Sequence, residues 1–202
     1  CVSNRILKFS KILKKNSYLV PPIVPEYYSN VGLERVKNLE INKNFSFKNA
    51  LFLGRIDPKK GINEVIKMAQ KSDIINWTIS GIYIKSDQPE DIIKKLNDLK
   101  NVDLIIEDRN KFSREIEHKV SSYMNKCDFF FQPYKNLETT LDLPLLILEA
   151  QACGCIVLTT LPKELNSYLK KPSFAVNKFN VEHIYKYIIS FKVNKKIISD
   201  LK

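Results

Sequence analysis

From Asn49 onward the chain alternates between apolar runs too short for helices and amphipathic stretches too long for strands, and this rhythm constrains the fold more than any other feature. Ala50–Leu53 reads as a buried strand ending at Gly54, followed by a helix over Ile62–Lys71. Asn76–Ser80 reads as a strand ending at Gly81, and Pro89–Leu99 as a helix with Pro89 in its first turn. Val102–Ile106 is the next strand, and Ser113–Asn125 a helix with Ser113 as its cap. Asp128–Gln132 is a strand that stops before Pro133, Leu145–Ala152 a helix and Cys155–Thr159 a strand. Pro162–Leu169 reads as a helix, Ser173–Val176 as a short strand and Val181–Asp200 as one or two closing helices. Buried strands alternating with helices predict an α/β fold, a parallel sheet with helices on both faces. Ligands of such sheets bind outside the carboxyl ends of the strands. Those ends fall at Gly54-Arg55, Gly81, Glu107-Asp108, Pro133-Tyr134 and Thr159-Thr160.

The first 48 residues lack this rhythm. Residues 3–16 have the spacing of a basic amphipathic helix, with Ile6, Leu7, Ile12 and Leu13 against Arg5, Lys8, Lys11, Lys14 and Lys15. Tyr18–Val24, with Pro21-Pro22, reads as stiff and extended, and residues 26–48 as a polar, loop-like linker. The expected division is therefore 1–48, the end of a preceding domain with its linker, and 49–202, one α/β domain. The chain starts at Cys1 and not at Met, which fits processing or a fragment.

Charge follows the same division. Residues 1–48 carry nine Lys/Arg against three acids, residues 49–162 fifteen against sixteen, and residues 163–202 nine against three. The formal excess of +11 thus sits at the two ends. A nucleic-acid groove has its cations woven through the fold among exposed aromatics, so a nucleic-acid partner is not expected. Two readings of the ends stay open: contact with an anionic surface such as phospholipid head groups, or solvated lysines of a Lys-rich sequence. The longest apolar run, Leu143–Leu148, is far below the roughly 18 residues of a membrane helix, and no stretch has the pattern of a secretory signal. The four cysteines, Cys1, Cys127, Cys153 and Cys155, make no disulfide framework. Cys153-Gly154-Cys155 lacks further metal ligands nearby, because His118 and His183 lie in unrelated segments; small buried side chains around a turn glycine are expected. Free thiols fit a reducing cytosol, so the expected location is cytoplasmic, with the membrane surface as a peripheral option.

Two segments carry chemistry. In Gly54-Arg55-Ile56-Asp57-Pro58-Lys59-Lys60-Gly61 a strand ends, Arg55 and Lys60 follow, and a helix begins after Gly61. A forked donor, a point charge and a helix amino end suit a diphosphate, although a polar loop with surface cations has the same composition. In Leu141–Gly154, Glu149 is the one charge inside an apolar helix. A buried carboxylate needs partners, and helical side chains tilt toward the amino end. Glu149 is then placed to accept from hydroxyls such as those of a ribose, unless it lies on a wet stripe of the helix. The amides of Leu145 and Leu146, which open that helix, suit a phosphate.

Taken together, these segments resemble the carboxyl-terminal domain of family 4 glycosyltransferases, retaining enzymes of the GT-B type built from two facing Rossmann-like domains. The matching pieces are Phe52-Leu-Gly-Arg55 with Lys59-Lys60-Gly61, Ile79-Ser80-Gly81, Cys127-Asp128 through Pro133, and Leu148-Glu149-Ala150 with Gly154-Cys155-Ile-Val157. They cover about residues 49–202, and residues 2–24 look like the end of the family's first domain, most of which is absent. The resemblance implies that Arg55 and Lys60 hold the donor diphosphate and stabilise the departing nucleoside diphosphate, with Gly54 at the strand end beside them. It implies Glu149 on the ribose, the Leu145-Leu146 backbone on the phosphates, Ile106 and Glu107 flanking the base, and Gly81 facing the nucleotide. The family's motif has a further Glu eight residues before the ribose Glu, where this chain has Leu141; Asp142 is the nearest substitute for contacting the sugar. The sequence has no Asp-x-Asp cluster, so the expected ligand is a nucleotide-diphosphate sugar, without a metal. The implied partners are the missing amino-terminal domain and an acceptor, which a membrane-side location would make lipid-linked. The alternative is a non-catalytic nucleotide-binding module derived from such an enzyme, which the Leu141 departure and the missing half favour. An epimerase of similar architecture should bring acid–base carboxylates or histidines to the cleft, and no such histidine is evident.

Overall fold

The computed structural model describes residues 22–41, 46–71, 73–82, 90–107, 114–135, 144–160, 163–176 and 178–201. Its strands are β1 (Asn49–Arg55), β2 (Asn76–Ile82), β3 (Val102–Ile106), β4 (Phe129–Gln132), β5 (Ile156–Thr159) and β6 (Phe174–Ala175). They form one sheet in the order β3-β2-β1-β4-β5-β6, and every pairing is parallel. The helices are α1 (Glu26–Ile41), α2 (Ile62–Ala69), α3 (Glu90–Asn97), α4 (Arg114–Lys126), α5 (Leu145–Ala152), α6 (Val181–Ser190) and α7 (Lys195–Asp200). The α/β expectation holds, and the sheet is Rossmann-like. The expected helix over 162–169 is a 3-10 segment, Lys163–Tyr168, and the closing helical region divides into α6 and α7.

The central strands β1, β4 and β5 are apolar on both faces because both are covered. Ala50 and Phe52 of β1, Phe129 and Phe131 of β4, and Ile156 and Leu158 of β5 point to one side, into a core with α2 and α6. Leu51, Leu53, Phe130 and Val157 point to the other, into a core with α1, α4 and α5. This period of two on strands without polar alternation is what burial from both sides requires. Phe129, Phe130 and Phe131 are fully buried, each contributing about 1.5–3 kcal/mol by area.

One expectation is corrected. Residues 26–41 are not loop-like: they form α1, whose Tyr28, Gly32, Arg35, Val36 and Leu39 are buried. These positions recur at helical spacing, but one is a glycine and one an arginine, so apolar periodicity alone does not show the helix. Gly32 is there for close approach, since a Cβ would lie 2.0 Å from the Ala152 carbonyl oxygen of α5. Arg35 donates from Nη2 to Asp128 Oδ1 at 2.5 Å and from Nη1 to the Cys127 carbonyl. Asp128 Oδ2 accepts from the amides of Lys48 and Asn49, both at 2.8 Å. A buried arginine thus ties α1 to the start of β4, and the same carboxylate ties the start of β1. The helix spacing at 3–16 and most of the 18–24 segment lie outside the described residues.

Cys127, Cys153 and Cys155 are buried free thiols around Gly154, as their spacing suggests. Cys127 Sγ lies 3.4 Å from Cys155 Sγ, and burial pushes both Cys127 and Cys153 well above the usual thiol range. They are packing residues.

Candidate functional site

The strand order reverses between β1 and β4, because the chain leaves β1 toward β2 and leaves β4 toward β5. A crevice opens at such a point beyond the carboxyl ends of the strands. Here it is a cleft of about 270 Å³, lined by Gly54, Arg55, Lys60, Tyr134, Leu145 and Leu146. Its floor includes Leu53 and Gln132, and Gln132 Nε2 donates to the Leu53 carbonyl at 2.7 Å, locking β4 to β1.

Each wall follows from local sequence. Asp57 is extended and caps the 3-10 turn Pro58–Lys60, its Oδ1 accepting from the Lys59 amide at 2.8 Å. Asp57 Oδ2 pairs with Arg55 Nη2 at 2.5 Å. Gly61 ends the turn at φ +85° and lies against β4, where a Cβ would sit 1.9 Å from the Pro133 carbonyl oxygen. The Lys135 amide donates to the Lys59 carbonyl at 3.0 Å. The loops after β1 and β4 are thereby held together, and they bring Arg55 and Lys60 to one cleft. The Lys60 ammonium lies 5.3 Å from the centroid of the Tyr134 ring. Burial lowers the Lys60 pKa, the Arg55 charge lowers it further, and Asp57 partly opposes both. Among the described residues Arg55 Nε, which is buried, has no hydrogen-bond partner, which costs about 1–3 kcal/mol until an acceptor arrives.

The third wall is the amino end of α5. Pro144 stands at its N-cap position, and no side chain among the described residues caps it. The first-turn amides of Leu145 and Leu146 therefore open beside the two cations, with the positive end of the helix dipole behind them. Two cations, a buried guanidinium donor and a helix amino end make a cleft suited to an anion.

The other residues singled out in the sequence fall around this cleft. Gly54, Gly81 and Ile106 form one row across β1, β2 and β3. Gly81 has a packing reason, since a Cβ there would meet the Gly54 carbonyl oxygen at 2.5 Å. Ile106 is 40% exposed at the strand end. Glu107 follows it, accepting from the Tyr123 hydroxyl at 3.1 Å and facing Lys119 at 3.5 Å. Glu149 is half-buried one turn into α5, and it is not among the residues lining the cleft. Its charge reaches Tyr28 and Cys153, adding to the burial that raises both. Asp142, Leu141 and Asp108 lie outside the described residues. Sequence reasoning passed over Tyr134 as a platform for Lys60 and Asp57 as the partner of Arg55. An Asp-Pro pair directly after a strand is a cap signal that could have flagged Asp57.

A Rossmann-like domain with an anion-suited cleft at its switch point is the class that fold and site define. The model of the family described as glycosyl transferases group 1 matches residues 36–201, and the chain belongs to that family. No curated protein matches it in sequence. Among solved structures it is similar to HepE from Anabaena, crystallised with UDP and glucose, at 12% identity and TM-score 0.65. It is similar to sucrose-phosphate synthase from Thermosynechococcus elongatus at 15% identity and TM-score 0.64. A TarM mutant from S. aureus, in a complex that includes UDP, follows at 13% identity and TM-score 0.63. These likenesses cover 98%, 99% and 99% of this chain, but only 55%, 48% and 38% of those chains. At these identities they speak for the fold. No described helix is long and apolar enough to cross a membrane.

Proposed function

We propose that this chain supplies the nucleotide-sugar site of a family 4, retaining glycosyltransferase of the GT-B type, a hexosyltransferase of carbohydrate biosynthesis. The observation that carries the proposal is the convergence of Arg55, Lys60 and the amino end of α5 on one cleft at the switch point. The donor diphosphate lies between them, and Arg55 Nε gains in a phosphate oxygen the acceptor it lacks. As the sugar–phosphate bond breaks, charge grows on the leaving nucleoside diphosphate. Preset cations stabilise that charge more than they stabilise the ground state. Glu149 holds the ribose hydroxyls, Ile106 and Glu107 flank the base with Gly81 on the nucleotide side, and Asp142 contacts the transferred sugar. The cations Arg55 and Lys60 take the role a metal would otherwise fill. UDP in the HepE and TarM complexes supports a nucleotide diphosphate as the ligand class.

In this reading the acceptor is bound by an amino-terminal domain beyond this chain, and the enzyme works in the cytoplasm or at its membrane surface on a lipid-linked acceptor. The second reading, a nucleotide-binding module without turnover, rests on Leu141 in place of a carboxylate. Calorimetry with UDP, GDP and ADP on the whole chain tests the common core of both. Arg55→Ala and Glu149→Ala should each weaken binding at least about tenfold with the far-UV spectrum unchanged. Unchanged affinity in both variants sinks the donor-site reading. Transfer assayed on the full-length protein, with the product anomer read by NMR, separates an enzyme from a module and retention from inversion. Turnover that persists in chelator supports metal-free chemistry, and turnover lost there and restored by a divalent cation refutes it.

A further inference from the structure

The loop after β1 holds a carboxylate in a place where charge alone argues against one. Asp57 pairs with Arg55 and its charge reaches Lys60, the two cations of the cleft, and a negative group there repels an anionic ligand. Its geometry shows what it does instead. One oxygen, Oδ1, accepts from the Lys59 amide at 2.8 Å, and its own carbonyl accepts from the Lys60 amide at 2.9 Å. The other oxygen, Oδ2, takes Arg55 Nη2 at 2.5 Å. Pro58 fixes the next φ, and the Gly61 amide closes the turn on the Pro58 carbonyl at 3.0 Å. One residue therefore sets both the path of the backbone to Lys60 and the orientation of the Arg55 guanidinium.

An arginine side chain loses much rotamer freedom when it is held, and a ligand that must order it binds more weakly. Arg55 is held already. Because a guanidinium is rigid and planar, holding Nη2 on Asp57 narrows the directions open to Nε, the buried donor without a partner among the described residues. Asp57 also offsets the repulsion between Arg55 and Lys60, because its charge favours the charged form of Lys60.

We propose that Asp57 is a positioning residue for diphosphate binding: it pre-orients Arg55 and the Lys59-Lys60 turn, and this outweighs its own repulsion of the anion. The inference rests on the donor-site reading above and adds a residue that acts only through Arg55 and the turn.

The two effects of Asp57 have opposite signs, so a single substitution separates them. Asp57→Asn keeps an oxygen for the Lys59 amide and removes the charge. By charge alone, inorganic pyrophosphate and UDP should bind more tightly to this variant. If Asp57 positions Arg55, they should bind about tenfold more weakly. The decisive measurement is a double-mutant cycle by calorimetry on the whole chain, with wild type, Asp57→Asn, Arg55→Ala and the double variant. The expected result is that Asp57→Asn costs affinity only when Arg55 is present. A general loss of structure would lower affinity equally in both backgrounds. Asp57→Ser, which retains a capping oxygen, replaces Asp57→Asn if thermal unfolding shows that variant to be unstable. Equal or tighter binding by the charge-removed variant, or an equal loss in both Arg55 backgrounds, overturns the inference alone. A wild-type chain that binds neither pyrophosphate nor UDP overturns the donor-site reading, and this inference with it.

Discussion

Lys60 should give the site its pH dependence. Burial holds its pKa below the usual lysine value, Arg55 lowers it further, and a bound diphosphate favours the charged form. Nucleotide-diphosphate affinity should therefore fall as pH rises into a titration that begins below the ordinary lysine range. For the empty fold the sign is opposite. A folded pKa below the unfolded one means stability is gained as pH rises from the first to the second. Calorimetry of UDP between about pH 7 and about pH 10 reads the binding slope, and Lys60→Met should bind weakly and flatten it. The glycines of the cleft divide by cause. Gly61 has a positive φ and no room for a Cβ against Pro133, whereas Gly54, at φ +144°, has no atom within 4 Å of where a Cβ would be. Gly61→Ala should cost about 2–4 kcal/mol in urea unfolding, and Gly54→Ala about 1–2 kcal/mol. Similar costs at both sites would contradict this division.

At the scale of elements, α1 is tied into the core of the sheet. Its inner face packs on α4 and α5, and its arginine is buried against Asp128. Removing one partner strands the other, and Asp128 also holds two backbone amides. Asp128→Ala should therefore cost about 3–5 kcal/mol in denaturant unfolding. A fragment of residues 49–202 should be markedly less stable than the whole chain, because it uncovers Met124, Ile147 and Cys153 on that side of the core. A fragment of undiminished stability would return α1 to the role of a linker. The helix was hidden in the sequence because two of its inward positions, Gly32 and Arg35, are chosen by what they touch on α5 and β4. The strands and α5 were legible for the opposite reason. Burial on both faces leaves apolar runs, and Leu145–Ala152 begins after a proline and ends before a glycine.

Across the whole molecule, the donor-site reading makes a thermal prediction. A nucleoside diphosphate at a hundred times its dissociation constant should stabilise the chain by about 2.7 kcal/mol, which is about 5–10 °C in Tm for a domain of this size. A thermal-shift series of UDP, GDP, ADP and their sugars would name the base, and no shift with any of them would count against the reading. The alternation of elements, the parallel sheet and the carboxyl edge as the place of the site could be read from the sequence, because each depends on local period and turn chemistry. Arg55 and Lys60 could be named there as candidates, but not as neighbours of the end of α5. Their meeting depends on β4 lying beside β1, on Gly61 admitting the Pro133 carbonyl, and on Asp57 holding Arg55. Sequence alone thus determined which elements form and which edge carries the chemistry, through contacts a few residues apart. Only the tertiary structure decided that α1 belongs to the core and which cations share the cleft with α5, because those outcomes rest on contacts between residues about 70–120 positions apart.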